Sequence, residues 1–262
     1  MERLKYAESH WSREKDEEKA LEQYLSLGAA VFNKTKFKLF MALTGDVAGK
    51  RILDYGGGAG IMSIPYALKG AEVVLVDAEE GALRAAAYYA RREKVEGRVR
   101  IIHSEKFPDE LKKERFDIVI AKDIVEHIED DQRFLLDLSE CQNGGGGILL
   151  STQNALSLNY LLEGSYQKYR CGNKSWMGWD ATHLRFYTPS SLREKVRKAG
   201  YRPERWAGVF IIPYSLLSWL SLFRLNIELP SLRHFDLLFG KWFPFNRFGW
   251  NIIVRARKGS GL

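Results

Sequence analysis

From Arg51 onward, short apolar runs alternate with stretches whose apolar positions recur at helical spacing. The runs are RILDY (51–55), EVVLVD (72–77), VRIIH (99–103), FDIVIAK (116–122) and GILLST (147–152), and the helical stretches between them include 81–95 and 130–142. Strand and helix in regular alternation are the mark of βαβ units and a parallel sheet. Two more strands are predicted near the end, at 202–208 and 251–257. Asn143 followed by Gly144 to Gly147 predicts a helix stop and a turn into the next strand. Residues 1 to about 45 read otherwise. Charges dominate up to Lys19, then Leu21, Tyr24, Leu25, Phe37, Leu39 and Phe40 supply apolar helix faces, with no strand signal.

Composition sharpens this only a little. A chain of 262 residues with 45% hydrophobic residues suits one large domain or one domain with additions. Two cysteines, Cys141 and Cys171, are too few for a disulfide framework, and the first twenty residues lack the apolar core of a signal peptide. The expectation is a cytoplasmic protein. The final Gly259-Ser260-Gly261-Leu262 reads as an expression linker foreign to the fold.

The first candidate chemistry is a cluster of bare backbone. Four of the five residues 56–60 are glycine, directly after the first predicted strand. The dinucleotide spacing G-x-G-x-x-G fails, because Ile61 or Ser63 stands where its last glycine belongs, and no Lys-Ser or Lys-Thr pair follows to make a phosphate loop. What remains is a loop of Gly56, Gly58 and Gly60 whose backbone approaches a ligand closely, with the Asp54 carboxylate placed to meet a cation. S-adenosylmethionine fits, since its amino group and sulfonium are both positive and it has no phosphate. A second carboxylate should then close the next strand and accept the ribose hydroxyls. Asp77 stands there, twenty-three residues after Asp54.

With ILDYGGGAG, VVLVDAEEGAL, FDIVIAKDIVEHIED, GGILLSTQN and HLRFYTPSSLREKVRKAGY in place, the chain from about 45 to about 205 resembles class I S-adenosylmethionine-dependent methyltransferases. Within them it looks most like the ubiquinone-biosynthesis O-methyltransferase group. The resemblance implies an α/β fold with a Rossmann-like seven-stranded sheet, mostly parallel with the last strand antiparallel. It also implies that Gly56 and Asp77 contact the cofactor, that Lys122 touches its adenine side through backbone, and that Ser104 and Glu105 sit near the adenine amine. The group's usual cysteine in the glycine loop is replaced here by Gly57, a change expected to be tolerated.

In AKDIVEHIED, residues Asp123, Glu126 and His127 follow the fourth strand at the carboxyl edge of the sheet, where open α/β folds bind ligands. On the first turn of a helix they would share one face. His183 follows fifty-six residues after His127. Two carboxylates and two imidazoles converging would hold a divalent cation; the oxygens favour Mg²⁺ or Mn²⁺, and the histidines leave Zn²⁺ open. Some ubiquinone-pathway O-methyltransferases and the small-RNA 2′-O-methyltransferases resemble this pattern, with Glu where this chain has Asp123. The competing reading is that Asp123 caps a helix and that Glu126 and His127 merely orient a loop.

Methyl transfer from an activated sulfonium is an in-line displacement, so the enzyme supplies alignment and a route for the acceptor proton. A metal would lower the pKa of the acceptor hydroxyl; without one, His183 or His127, with Glu126 beside them, is the candidate base.

The segment 153–183 is rich in Tyr, Trp, Asn and Gly and is placed to cover the acceptor. Tyr160, Tyr166, Tyr169, Trp176 and Trp179 would stack on a planar ring or anchor this lid. The last region, about 210–248, is an aromatic insertion between the two final strands. Its apolar core VFIIPYSLLSWLSLF is shorter than the roughly 20 residues that span a bilayer. From residue 192 onward thirteen basic residues face four acidic ones, a net of +9 against +7 for the whole chain. Basic charge among Trp, Phe and Leu in 206–250 suits an element lying on an anionic membrane, with an aromatic cap and a dimer surface as alternatives.

The sequence therefore predicts a helical cover at 1–45 and a methyltransferase domain at 46–258. The predicted activity is methylation of a hydroxyl on a hydrophobic, quinone-like or lipid molecule. RNA 2′-O-methylation ranks behind it, because the basic residues are interleaved with apolar ones rather than lining a polar groove; a cofactor-binding scaffold ranks last.

Overall fold

Seven strands form one sheet in the computed structural model, which describes residues 10–176, 178, 180, 182–212 and 229–259. They are β1 (Arg51–Tyr55), β2 (Glu72–Asp77), β3 (Val99–His103), β4 (Phe116–Lys122), β5 (Gln142–Gln153), β6 (Tyr201–Val209) and β7 (Asn251–Lys258). Their order across the sheet is β3-β2-β1-β4-β5-β7-β6. The first five pair in parallel, and β7 runs antiparallel between β5 and β6. The chain crosses from one half of the sheet to the other between β1 and β4. At such a switch point the strand ends diverge and leave a crevice at the carboxyl edge.

Helices cover both faces: α1 (Glu17–Ala29), α2 (Val31–Thr44), α3 (Ser63–Leu68), α4 (Glu80–Arg92), α5 (Asp131–Glu140), α6 (Leu158–Tyr169), α7 (Pro189–Lys198) and α8 (Arg233–Phe239). Leu39, Phe40 and Leu43 of α2, Tyr66 of α3 and Leu83 of α4 bury against Ile52, Val73 and Leu75 on one face. Phe134, Leu135 and Leu138 of α5 and Leu192 and Val196 of α7 bury against Leu53, Val76, Val119 and Leu150 on the other. Each fully buried Leu or Phe contributes about 1.5–3 kcal/mol. Local signals fix the ends. Thr188 and Ser191 form a reciprocal capping box with Pro189 in the first turn of α7, and Gly45 stops α2 at a φ of 79°.

The N-terminal cover reaches further than a lid on the sheet's outer face. Ala20 and Leu21 of α1 pack with Ala59 of the glycine loop and Ala85 of α4, so α1 lies against the crevice itself.

Two local expectations are corrected. The helix expected to run to 142 ends at Glu140, and β5 begins at Gln142, so the glycine run lies within a strand. Gln142 pairs with Phe116 and Gly147 with Ile118, which leaves Asn143 to Gly146 bulged opposite Asp117. Glycine permits this because Gly145 has a φ of 78° and a Cβ on Gly146 would stand 3.0 Å from the Asp117 carbonyl oxygen. Likewise, residues 123–127 are not the first turn of a helix. Val125–His127 form a separate 3-10 turn, and α5 starts at Asp131. Among the described residues between β6 and β7 are α8 and two 3-10 turns; most of the apolar stretch predicted there, 213–228, lies outside the described residues. Among the described residues no helix is long and apolar enough to cross a membrane.

Candidate active site

The glycine loop leaves β1 at the switch point. Gly56, Gly58 and Gly60 have φ values of 73°, 55° and 84°, the left-handed region that bare backbone enters without strain. At Gly57 the limit is space. A Cβ there would stand 2.9 Å from both Asp54 Oδ2 and Leu75 Cγ, so in this chain the position is closed to a side chain. Asp54 is 1% exposed and accepts a hydrogen bond from Ser63 Oγ at 2.6 Å. Burial pushes its pKa up to about 6, helped by Asp77 and opposed by the Ser63 bond and Lys122. A bound cation would lower it again.

Asp77 closes β2 and holds the loop: Oδ2 accepts from Gly58 N at 2.8 Å and Oδ1 from Glu79 N at 2.9 Å. A carboxylate has lone pairs beyond these two for ribose hydroxyls. Ser104 N donates to the Asp77 carbonyl at 3.0 Å, which places Ser104 on the same rim, while Glu105 lies exposed beyond it. Tyr24 of α1 crosses the loop from above. Its hydroxyl would be 3.4 Å from a Cβ on Gly58, its ring lies 4.5 Å from Trp11, and burial pushes its pKa up to about 12.

Across the crevice, Lys122 ends β4 and its Nζ lies 3.3 Å from Asp123 Oδ2. Burial opposes the charge of Lys122, but Asp123 outweighs it and raises the pKa. Asp123 adopts a φ of 54°, a conformation that costs a residue with a Cβ roughly 1 kcal/mol. Four donors hold it there: Lys36 of α2 and Lys122 on Oδ2, Ser151 Oγ at 2.9 Å and Asn251 Nδ2 at 3.1 Å on Oδ1. Burial alone would raise its pKa, and the two ammonium groups hold it below the usual carboxylate range. Lys36 shares the cost, pushed down to about 8 by burial despite Asp123. Asp123 is therefore saturated and stands outside the predicted metal-ligand set.

The other three predicted ligands do converge. Glu126, His127 and His183 each offer a ligand atom, all within 4.8 Å of one another, and the two imidazole rings are 4.7 Å apart. Leu184 N donates to the Glu126 carbonyl at 2.9 Å and so ties the distant segment to the 3-10 turn. The Glu126 side chain is 0% exposed, and neither carboxylate oxygen has a hydrogen-bond partner among the described residues. The Thr152 hydroxyl is near without completing a bond of good geometry. Burial, with Asp123 nearby, pushes the Glu126 pKa up to about 8. His127 Nδ1 lies 3.2 Å from the Thr182 carbonyl oxygen, which suits an N–H there and frees Nε2. His183 Nε2 lies 3.6 Å from Asp180 Oδ2, and its buried Nδ1 has no partner among the described residues. Burial, then His127, lowers the His183 pKa and keeps it neutral.

Of the predicted lid aromatics, Tyr160 packs 5.3 Å from Trp176 and 4.5 Å from Phe186. Tyr169 is exposed, and Trp179 lies outside the described residues. Sequence reasoning missed Lys36, Ser151 and Asn251, because each reaches Asp123 from a distant element. The apolar-face reading of Tyr24 missed its place over the loop. A lysine on the buried side of α2 was the one signal on offer, since lysine is almost never buried unpaired.

Comparison with known proteins places the chain among its relatives. The profile of a family described as "Methyltransferase domain" matches residues 29–205. The ubiquinone biosynthesis O-methyltransferase of Azorhizobium caulinodans is 33% identical over 169 residues, 63% of this chain and 64% of that protein, so the match spans just under two thirds of that relative's length. That of Acinetobacter baylyi is 30% identical over 196 residues, 72% of this chain and 78% of that protein. Among solved structures, magnesium protoporphyrin IX methyltransferase from Synechocystis with bound SAH aligns over 91% of this chain and 94% of its own, with a TM-score of 0.59 at 15% identity. The [4+2]-cyclase SpnF aligns over 89% and 84%, with a TM-score of 0.58 at 19% identity. At these identities the structural likenesses show the fold.

Proposed function

This chain belongs to the methyltransferase-domain family, as a class I S-adenosylmethionine-dependent methyltransferase, and on that premise we propose that it methylates a hydroxyl of a hydrophobic small molecule at a site able to hold a divalent cation. The observation that carries the reading is Glu126: a fully buried carboxylate with both oxygens unpaired, facing two imidazoles. Such a group is costly to bury unless a cation or a ligand proton reaches it. Relatives named for O-methylation in ubiquinone biosynthesis support the hydroxyl and the quinone-like body.

The donor set fits a divalent cation: one carboxylate and two imidazoles, with His127 oriented by Thr182. With Asp123 excluded, nitrogen outnumbers oxygen, which moves the preference from Mg²⁺ toward Mn²⁺ or Zn²⁺. When bound, the cation would lower the pKa of an acceptor hydroxyl.

The rest is done by this chain's own residues. Asp77 takes the ribose hydroxyls, the loop from Gly56 to Gly60 lets the cofactor lie against backbone, and Asp54 and Tyr24 bound the methionine end. Ser104, Glu105 and Lys122 border the adenine. The saturated Asp123 fixes the floor between cofactor and acceptor, so the methyl group and the hydroxyl meet in line. In a cation-free site, His183 Nδ1 is the atom able to take the hydroxyl proton.

Leu238, Phe239, Trp242, Phe243 and Phe248 are exposed between β6 and β7. With the local basic excess, they support contact of this region with an anionic membrane. The deciding experiment incubates methyl-labelled S-adenosylmethionine with the protein and a total cell extract, with and without exhaustive chelation, and partitions the products. Label in the organic phase that is lost on chelation is expected. Label only in water would overturn the hydrophobic acceptor, and chelation without effect would overturn the metal.

A further inference from the structure

A helix lying on a protein ordinarily turns its apolar stripe inward. Helix α6 does the reverse. Its only buried residues are Asn159 and Glu163, 3% and 5% exposed, which share a face with Gln167 at four-residue steps. Leu158, Leu161, Leu162 and Tyr169 point outward and are exposed. The inward polar groups are only partly spent on each other. Gln167 Nε2 donates to Glu163 Oε1 at 2.8 Å, but Glu163 Oε2 and Asn159 Oδ1 have no partner among the described residues. A carboxylate oxygen can only accept, and a dry one is costly.

The position of this face gives the cost a purpose. Tyr160, next to Asn159, lies 4.5 Å from Phe186; Phe186 lies 5.7 Å from His183; and His183 lies 4.7 Å from His127. A row of rings thus leads from α6 to the Glu126 site. At the α6 end of the row, Glu163 Oε2 and Asn159 Oδ1 are acceptors left without a donor among the described residues.

We propose that Asn159 and Glu163 recognise the methyl acceptor, and that the recognised part of that acceptor carries hydrogen-bond donors, hydroxyl or amino groups, beyond the one that is methylated. This rests on the reading that the chain methylates a small molecule at the carboxyl edge, and it narrows the acceptor from any hydrophobic body to one with a donor-bearing head. Tyr160 and Phe186 would flank the body between the two ends.

The test compares wild type with Glu163→Leu and Glu163→Gln in three measurements: Tm, S-adenosylhomocysteine affinity by calorimetry, and label transferred from methyl-labelled S-adenosylmethionine to a total cell extract. Removing a dry carboxylate from a burial it does not need for folding should raise the Tm of the leucine variant by about 2–4 °C. Its cofactor-product affinity should stay within two-fold, and its label transfer should fall about ten-fold or more. The glutamine variant should fall between. Wild-type labelling by the leucine variant would overturn the proposal. So would a lower Tm in both variants, which would make the carboxylate structural. A wild-type protein that labels nothing overturns the underlying methyltransferase reading instead, and that result is in hand before any variant is compared.

Discussion

The two sides of the crevice handle buried charge in opposite ways. On the β1–β2 side, Asp54 is bonded to Ser63, and both oxygens of Asp77 accept backbone N–H groups. Asp123, at the middle, carries four donors. On the β4–β5 side, Glu126, Glu163 and His183 are buried with atoms left unpaired among the described residues. A paired carboxylate fixes geometry before any ligand arrives, whereas an unpaired one must keep its proton or be completed by a ligand. The contrast supports the proposal that the first side holds a cofactor in a preformed loop and that the second meets whatever brings protons or positive charge.

The sharpest way to break the comparison is at Asp77. Replacing it with alanine would remove the two charge-assisted bonds proposed to ribose, each worth about 1.5–3 kcal/mol. S-adenosylhomocysteine affinity measured by calorimetry should then fall about 100-fold or more. Unchanged affinity would end the assignment of this side to the cofactor.

On the other side, Glu126→Gln and His183→Ala should leave that affinity within about three-fold and reduce methyl transfer about 100-fold. Turnover equal to wild type in His183→Ala would take the imidazole out of the site.

A smaller effect separates the two sides by pH. The Glu126 carboxyl has its pKa pushed from 4.5 up to about 8 by burial. Between those values the folded protein binds more protons than the unfolded chain, so the contribution of this group to stability is full below about 4.5 and is lost as pH rises toward 8. The Tm of metal-free wild type, relative to Glu126→Gln, should decline across that window. Mn²⁺ or Zn²⁺ binding should strengthen over the same window with release of a proton. A Tm difference that stays flat would show that the carboxyl is not dry.

The smallest effect belongs to the far rim. Trp242→Ser with Phe243→Ser should change stability by less than about 0.5 kcal/mol, since both side chains are exposed. The pair should reduce co-sedimentation with anionic liposomes at low salt. Undiminished co-sedimentation would move the membrane contact elsewhere.

The placement of the proposed cofactor residues was legible in sequence because its signals are local. Asp54, the glycines and Asp77 occupy strand ends and one turn, where spacing along the chain is spacing in the fold. The acceptor side was legible in part. Glu126, His127 and His183 could be listed as candidates from residue type, and three of the four predicted ligands converge. Asp123 could not be judged from its neighbours, because the residues that hold it come from α2, β5 and β7. The inverted face of α6 was hidden for a similar reason: LNYLLEGSYQKY mixes polar and apolar residues, and only packing decides which side faces in.

The chain by itself determined the order of strands and helices, the switch-point loop and the family, since hydrophobic period, turn chemistry and short motifs act over a few residues. Tertiary structure alone decided which buried charges are paired. Pairing depends on ångström-scale approach between elements more than a hundred residues apart, as Asn251 is from Asp123. That distinction separates a carboxylate that holds the fold from one that waits for a ligand.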